Sequence, residues 1–389
     1  MLGRIELVVL LLPLGLYLYA YLGYPALLIL IGRLRSRPAE LKDPAEWPLI
    51  SIVVPAYNEE RAIRRTVESL LALEYPADRR QILVISDASS DRTDDIVREF
   101  AAAGVELLRL PERSGKTAAE NAALPLLRGS IVVNTDATIR ILPSAMKPLI
   151  RVFVDPAIGV ASGRDVSVGD LADEASLGES GYVGYEMWVR SLETMVGSIV
   201  GASGCFYAIR RTLHANLVPA ALSRDFASAL TAREHGLRAV SVDEAVCLVP
   251  RATSLRREYT RKIRTMARGL ETLWFKRHLL NPVHHGRFAW MLASHKLARW
   301  LIFLAVPPAV VALVFLSFDS VIAAGLLGLT AVGMVLGLVA LNTPEGRPVS
   351  RLSRLCGFVL ATHVAGFLAW TKALRGELNP IWEPTRRSA

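Results

Sequence analysis

Asn58, Glu59, Asp87 and Asp136 are the side chains best placed to do chemistry, because each lies in the polar stretch where a short apolar run stops. The runs are ISIVVPAYN (50–58), the start of QILVISDASSDRTD (81–94), and SIVVNTDAT (130–138). Apolar, β-branched runs this short, separated by helix-like segments, read as parallel strands buried on both faces. In an open α/β sheet the ligand sits beyond the carboxyl ends of the strands. These side chains are therefore expected to converge on one pocket. Carboxylates and an amide there suit the base, ribose and metal-bound diphosphate of a nucleotide. Turn and helix-cap duty is the other reading of such residues. For Asp91 with Thr93, capping of the next helix is the expectation.

The elements that must hold these residues alternate. Residues 49–170 read as β-α-β-α, with a helical face at Ile63, Val67, Leu70 and Leu71 and a helix stop at Gly104. GVELLRL is a further strand, and KTAAENAALPLL is a helix broken near Pro125. This order implies a parallel sheet with right-handed crossovers. Beyond it come a helix around 179–195, a glycine-rich strand (GASGCFYAIR), a helix in SRDFASALTAREHG and a last strand in AVSVDEAVCLVP.

Both ends of the chain are apolar. Residues 5–31 carry a single charge, and 297–317, 320–341 and 354–372 are further apolar segments. About 20 apolar residues span a bilayer as a helix. The first segment is too long for a signal-peptide core and has no cleavage site, so it reads as a retained anchor. Pro13 and Pro25 are expected to kink it. Arg33, Arg35, Arg37 and Lys42 follow it, which puts the middle of the chain in the cytoplasm. Four full spans would place the tail outside, yet it carries Arg375, Arg386 and Arg387. Either one segment is interfacial or re-entrant, or the charge rule is broken here. The net charge of +9 reads as membrane-facing rather than as a nucleic-acid surface, because the basic residues cluster beside the apolar segments and on one helix. Cys205, Cys247 and Cys356 have neither metal-ligand spacing nor a disulfide pattern. His284, His285 and His295 are expected at the membrane surface rather than on a metal.

In sequence, GKT at 115–117 suggests a phosphate loop, but the glycine that motif needs at position 110 is leucine. The ordered motifs instead resemble membrane-bound family 2 glycosyltransferases with a GT-A domain, the group of the cellulose, hyaluronan and poly-N-acetylglucosamine synthases. The resemblance runs from about Pro48 to Pro282 and weakly beyond. It implies an α/β, mostly parallel nucleotide-binding sheet flanked by helices, with helical transmembrane segments at both ends. The expected division is an anchor at 1–36, a cytoplasmic catalytic domain at 48–250, a basic interfacial helix region at 251–289, and about three spans plus a tail at 290–389.

The resemblance also assigns roles. Ala56-Tyr57-Asn58-Glu59 matches the first nucleotide-contacting segment, and Asp87 the aspartate that accepts the imide N–H of uracil. Arg113 to Asn121 follows the Arg-x-Gly-Lys-x-x-Ala-x-Asn pattern, with Lys116 on the donor. Asp136-Ala137-Thr138 stands at the DxD position that binds Mg²⁺ or Mn²⁺, with threonine for the second acid; Asn134-Thr135-Asp136 is the other register. Tyr185-Glu186, Glu193 and Gly201 to Gly204 match the acceptor side. Asp225 keeps the place of the general base, while Arg224 replaces the acid before it; Asp225 also suits the N-cap of a helix over 226–235. Arg261 matches the arginine of Gln-x-x-Arg-Trp, and Arg261 or Arg264 would reach the diphosphate. The tryptophan that holds a growing polymer is Lys262, which favours transfer of one or a few sugars. Tyr259, Ile263, Met266, Leu270 and Leu273 form the apolar face of this basic helix, and most of its arginines face lipid.

The implied activity is inverting transfer of a hexose or N-acetylhexosamine from a UDP-sugar to a lipid or polysaccharide acceptor, at the cytoplasmic face of the plasma (inner) membrane. The losses at 138 and 224 suit an alternative, a catalytically degenerate nucleotide-sugar-binding subunit of a synthase complex. A transporter is disfavoured, because His363 and Thr362 are the only polar hints in the last spans and helix packing accounts for them.

Overall fold

A computed structural model describes residues 2–35, 41–168, 175–250, 255–344, 347 and 349–377. Linker positions 36–40, the tail from 378 with Arg386 and Arg387, and the side chains of Arg256, Arg257, Glu258 and Thr260 lie outside the described residues. The chain forms two compact units.

The first unit holds Ile31–Arg251 and Glu271–Leu279. Its strands are β1 (Ile50–Ala56), β2 (Arg80–Ser86), β3 (Val105–Arg109), β4 (Ile131–Thr135), β5 (Arg140–Ile141), β6 (Ile158–Val168), β7 (Phe206–Arg210) and β8 (Arg238–Pro250). They form one sheet in the order β3-β2-β1-β4-β7-β6-β8-β5. The pairs β1–β2, β1–β4, β2–β3 and β6–β8 are parallel. β7 runs antiparallel between β4 and β6, and β5 closes the edge antiparallel to β8. The sheet is thus mostly parallel, as the sequence implies.

Every residue of β1 and β4 is buried, which explains runs without polar alternation. Ile52, Val54, Val84 and Val133 point into one apolar cluster, and Val53, Leu83, Ile85 and Val132 into the other. Each such side chain contributes roughly 1.5–3 kcal/mol on burial. Only glycine fits at 129, because a Cβ there would lie 2.4 Å from the Ser51 backbone nitrogen. Ser51 is in turn a polar stitch: its hydroxyl donates to Gln81 Oε1 (2.6 Å) and accepts from Gly129 N–H (2.8 Å).

The second unit contains Met1–Leu30, Ala252–Leu270 and Leu280–Glu377. Four helices are long and apolar enough to cross a membrane: Arg4–Arg33, Arg287–Leu316, Val321–Asn342 and Arg351–Arg375. The second begins about ten residues before the apolar run that betrays it in sequence. The helix continues through Pro13 without a break, while a π-helical turn (Tyr19–Gly23) precedes Pro25. A second π turn, Ala293–Leu297, interrupts the second span, and the Tyr19 hydroxyl lies 2.6 Å from Ser294 Oγ. His295 in that turn is buried and packs beside Tyr24. A Cβ at Gly337 would lie 3.0 Å from the Cys356 carbonyl, so the last two spans pack with their backbones close.

Candidate active site

The turns after β1 and β2 are tied together before they meet any ligand. Asn58 adopts a left-handed φ of 52°, and its Oδ1 accepts from Ser90 N–H (2.8 Å) while its own N–H donates to Ser89 Oγ (3.1 Å). The Asn58 amide therefore holds the turn in place. Glu59 is buried and its N–H donates to Thr93 Oγ1 (2.8 Å). Asp91 accepts from both Thr93 N–H (3.0 Å) and Thr93 Oγ1 (2.5 Å), at the start of helix Thr93–Arg98.

Asp87 is buried and braces the next loop. Its two oxygens accept from Ser114 N–H (2.7 Å) and Gly115 N–H (2.9 Å). Gly115, at φ 91°, opens helix Lys116–Ala123. The same loop lays the Arg113 guanidinium over the Tyr57 ring, 3.9 Å from its centroid. Ala56, at the end of β1, is buried and accepts from Asp87 N–H (2.9 Å).

Beyond β4, Ala137 turns into the core while Asp136 and Thr138 stay partly exposed. Asn134 and Thr135 are buried within β4, and Asn134 Oδ1 is engaged by His214 Nε2 (3.2 Å). The register with Asp136 first is thus the one that presents oxygens outward.

Lys116 Nζ donates to Asp136 Oδ1 (2.6 Å) and to the Gly204 carbonyl (3.1 Å). Burial pulls its pKa down, but Asp136, Glu120 and Asp225 outweigh burial and hold it well above the usual lysine value. A fixed ammonium therefore sits among carboxylates. Asp225 faces the same place: a Cβ on Gly204 would lie 3.1 Å from Asp225 Oδ2. The N-cap of helix Arg224–Glu234 is Ser223, so Asp225 stands in the first turn and not at the cap, a correction to its expected capping role. Ser223 Oγ donates to Asp225 Oδ1 (2.8 Å), and the helix dipole favours a carboxylate there.

Arg224 points away from this surface. It is buried, with Nε 3.3 Å from Glu120 Oε2, and both side chains are almost fully enclosed. It also donates to Asn121 Oδ1 and to the His214 carbonyl (3.3 Å). Burial raises the Glu120 carboxyl, opposed by Lys116 and Arg224. Burial and the Arg224 charge push His214 down to about 3, so it is neutral. Glu120 and His214 were missed in sequence. The only signal for Glu120 is its place one helical turn after Lys116, on the same face.

The acceptor-side expectations fall on helix Ala175–Val196 and the turn after it. Glu186 and Glu193 are buried, and Glu193 Oε2 accepts from Val200 N–H (3.2 Å). Ser203 donates to Asp165 (2.6 Å) and accepts from Cys205 N–H (3.0 Å), which shapes the turn carrying Gly204. Tyr185 stacks obliquely on Trp188, with ring centroids 5.8 Å apart.

Arg261 and Arg264 belong to the second unit, on helix Leu255–Phe275. Both are partly buried and engaged, and Lys262 between them caps the Phe358 ring at 3.8 Å and donates to Thr362 (3.1 Å). Lys262 thus packs on protein. Ile263, Leu270 and Leu273 of the expected apolar face are buried, whereas Tyr259 and Met266 are partly so.

Among the described residues, no group of three or more His, Cys, Asp or Glu could hold a metal alone. Asp136 with Thr138 fits a hard cation that takes one carboxylate and completes its shell with substrate phosphates and water, as Mg²⁺ does.

Residues 51–216 match the family described as glycosyl transferase family 2. The beta-monoglucosyldiacylglycerol synthase of Trichormus variabilis is 28% identical over 195 residues, covering 49% of this chain and 41% of that protein. The probable glycosyltransferase YdaM of Bacillus subtilis is 36% identical over 108 residues, 26% of each chain. The chain thus spans less than half the length of these curated relatives. A solved mannosyltransferase, PcManGT from Pyrobaculum calidifontis in complex with GDP-Man and Mn²⁺, superposes with a TM-score of 0.74 at 22% identity, over 97% of this chain and 100% of that one. At that identity the likeness is one of fold.

Proposed function

We propose that this chain, a family 2 glycosyltransferase with a GT-A-like sheet and four helices able to span a membrane, transfers a hexose or N-acetylhexosamine from a nucleoside diphosphate sugar to a lipid or glycan acceptor. The reading rests chiefly on one arrangement: Lys116 bridges Asp136 and the Gly204 carbonyl, with Asp225 against Gly204. A cation for a diphosphate and a carboxylate for a hydroxyl proton thus lie side by side. The alignment with diacylglycerol glucosyl synthases supports a lipid acceptor, and the basic residues after the first span support a cytoplasmic face of the plasma (inner) membrane.

In this reaction the acceptor oxygen attacks the anomeric carbon from the face opposite the diphosphate. Its proton passes to Asp225, the C1–O bond breaks, and the bonding pair leaves with the nucleoside diphosphate, so configuration inverts. Lys116 offsets the charge that develops on the leaving group. Tyr57 and Arg113 flank the base and Asp87 braces their loop, with its second lone pairs left for a base N–H. Asp136 and Thr138 would hold Mg²⁺ or Mn²⁺, which supplies further positive charge to the diphosphate. Glu186 and Gly204 border the acceptor, and Arg261 and Arg264 stand for the diphosphate side in the family pattern.

The test is nucleotide release by the full chain in lipid nanodiscs, scanning UDP- and GDP-sugars with Mn²⁺, Mg²⁺ or chelator and membrane lipid as acceptor. Release that needs one donor and a metal, and that drops at least 1,000-fold in Asp225→Asn with donor affinity intact, is the expected outcome. The substitutions at 138 and 224 favour a second reading, a non-catalytic donor-binding subunit. Donor binding without release in the same assay, unchanged by Asp225→Asn, would establish it instead.

A further inference from the structure

Arg224 occupies a position where the family pattern carries an acid, and its guanidinium does not face the proposed site at all. Two short helices begin beside each other at that site. Lys116 opens one and Arg224-Asp225 opens the other. Glu120 lies one turn after Lys116, and Arg224 precedes Asp225 directly. Their ion pair, at 3.3 Å with both side chains nearly fully enclosed, therefore joins the helix that presents the ammonium to the helix that presents the base. Polar bonds reinforce the joint on both sides. Asn121 accepts from Arg224 and donates to the Val218 carbonyl (2.9 Å), and Thr117 Oγ1 donates to the Leu222 carbonyl (3.1 Å). Ser228 Oγ donates to the Arg224 carbonyl (2.7 Å), and Arg224 itself donates to the His214 carbonyl.

We propose that Arg224 and Glu120 are positioning residues: a buried pair that fixes the separation of Lys116 and Asp225. The inference rests on the transfer reading above. A buried pair is a poor source of stability, because desolvation cancels much of the attraction, and an apolar pair of similar volume often replaces it without loss of fold. It does constrain geometry, since each partner must find the other. An acid at 224 would face the buried Glu120 carboxylate, so the arginine at 224 complements the acid at 120. The departure at 224 is then an exchange of supporting charge and leaves Asp225 its role.

The experiment compares wild type, Arg224→Lys and the double variant Glu120→Leu with Arg224→Met, all as full chains in nanodiscs, for thermal midpoint, donor affinity and transfer kcat. The double variant is expected to keep its midpoint within a few degrees and donor affinity within about threefold, while kcat falls roughly 30- to 100-fold, the size of effect a misplacement of about an ångström produces. Arg224→Lys keeps a charge for Glu120 but cannot serve Asn121 and the His214 carbonyl together. It is expected to lose about tenfold in kcat with the donor KM unchanged. A double variant with wild-type kcat makes the pair merely structural and overturns the proposal. If that variant does not fold, Arg224→Lys decides, and full kcat there overturns it equally. A wild-type chain that releases no nucleotide from any donor overturns the transfer reading, and this inference with it.

Discussion

Replacing Gly204 by alanine tests the proposed base without touching it. The Gly204 backbone is not in the left-handed region, so alanine is allowed there and the fold is not at stake. The added Cβ, however, would lie 3.1 Å from Asp225 Oδ2 and 3.7 Å from its Cγ. A carbon–oxygen contact relaxes to about 3.4–3.5 Å, so the carboxylate must retreat by a few tenths of an ångström. Retreat strains its bond from Ser223 Oγ, now 2.8 Å, and turns the side chain off its rotamer. Those two effects together cost about 1–2 kcal/mol, or roughly a tenfold loss in kcat if Asp225 takes the acceptor proton. Donor affinity should hold, because the Gly204 carbonyl still receives Lys116. Steady-state transfer and donor titration on the reconstituted chain measure the two quantities. Unchanged kcat would remove Asp225 from the chemistry. A loss of donor affinity with kcat unchanged would reassign the Gly204 turn to the donor.

Lys116→Met removes the ammonium and leaves Asp136 without that partner; the donor KM in transfer assays should rise at least tenfold, with the effect strongest for intact diphosphates. Gly129→Ala drives a Cβ to within 2.4 Å of the Ser51 backbone nitrogen, so β1 must shift, and the thermal midpoint and folded yield should drop by an amount typical of severe core changes, about 3–5 kcal/mol. His214 is depressed to about 3 in the folded chain against about 6.5 when unfolded. Its contribution to stability is therefore complete above about pH 6.5 and is lost as pH falls towards 3. Between about pH 6.5 and 5 that loss is about 2 kcal/mol, seen as a fall in thermal midpoint that His214→Gln should flatten.

The central strands were legible because burial on both faces leaves an uninterrupted apolar run, as in β1, β2 and β4. Their polar ends were legible for the same reason, since the pattern stops where the chain leaves the sheet. β6 was harder: IGVASGRDVSV mixes glycine, serine and charge, and its pairing with β7 and β8 is set by residues far along the chain. Asn58 shows the limit of reading a polar residue at a strand end, because its amide serves the neighbouring turn. Arg224 shows it more sharply. In sequence it is a lost acid, and its meaning lies in Glu120, which stands on a different helix and enters only through packing.

The strand order also governs how the chain can be made. β1 gains its second neighbour only when β4 emerges, and β4 waits in turn for β7. At about 5–20 residues per second, each wait lasts several seconds, with an apolar strand edge open meanwhile. The first apolar helix, synthesised earlier, can tether the nascent sheet and keep such edges apart. The matched segment, residues 51–216, stops before β8 (Arg238–Pro250), which pairs with β6 and carries β5. Cut at the family boundary, the sheet would keep an eleven-residue strand, β6, without its long partner, and the open edge should make the fragment prone to aggregate on expression.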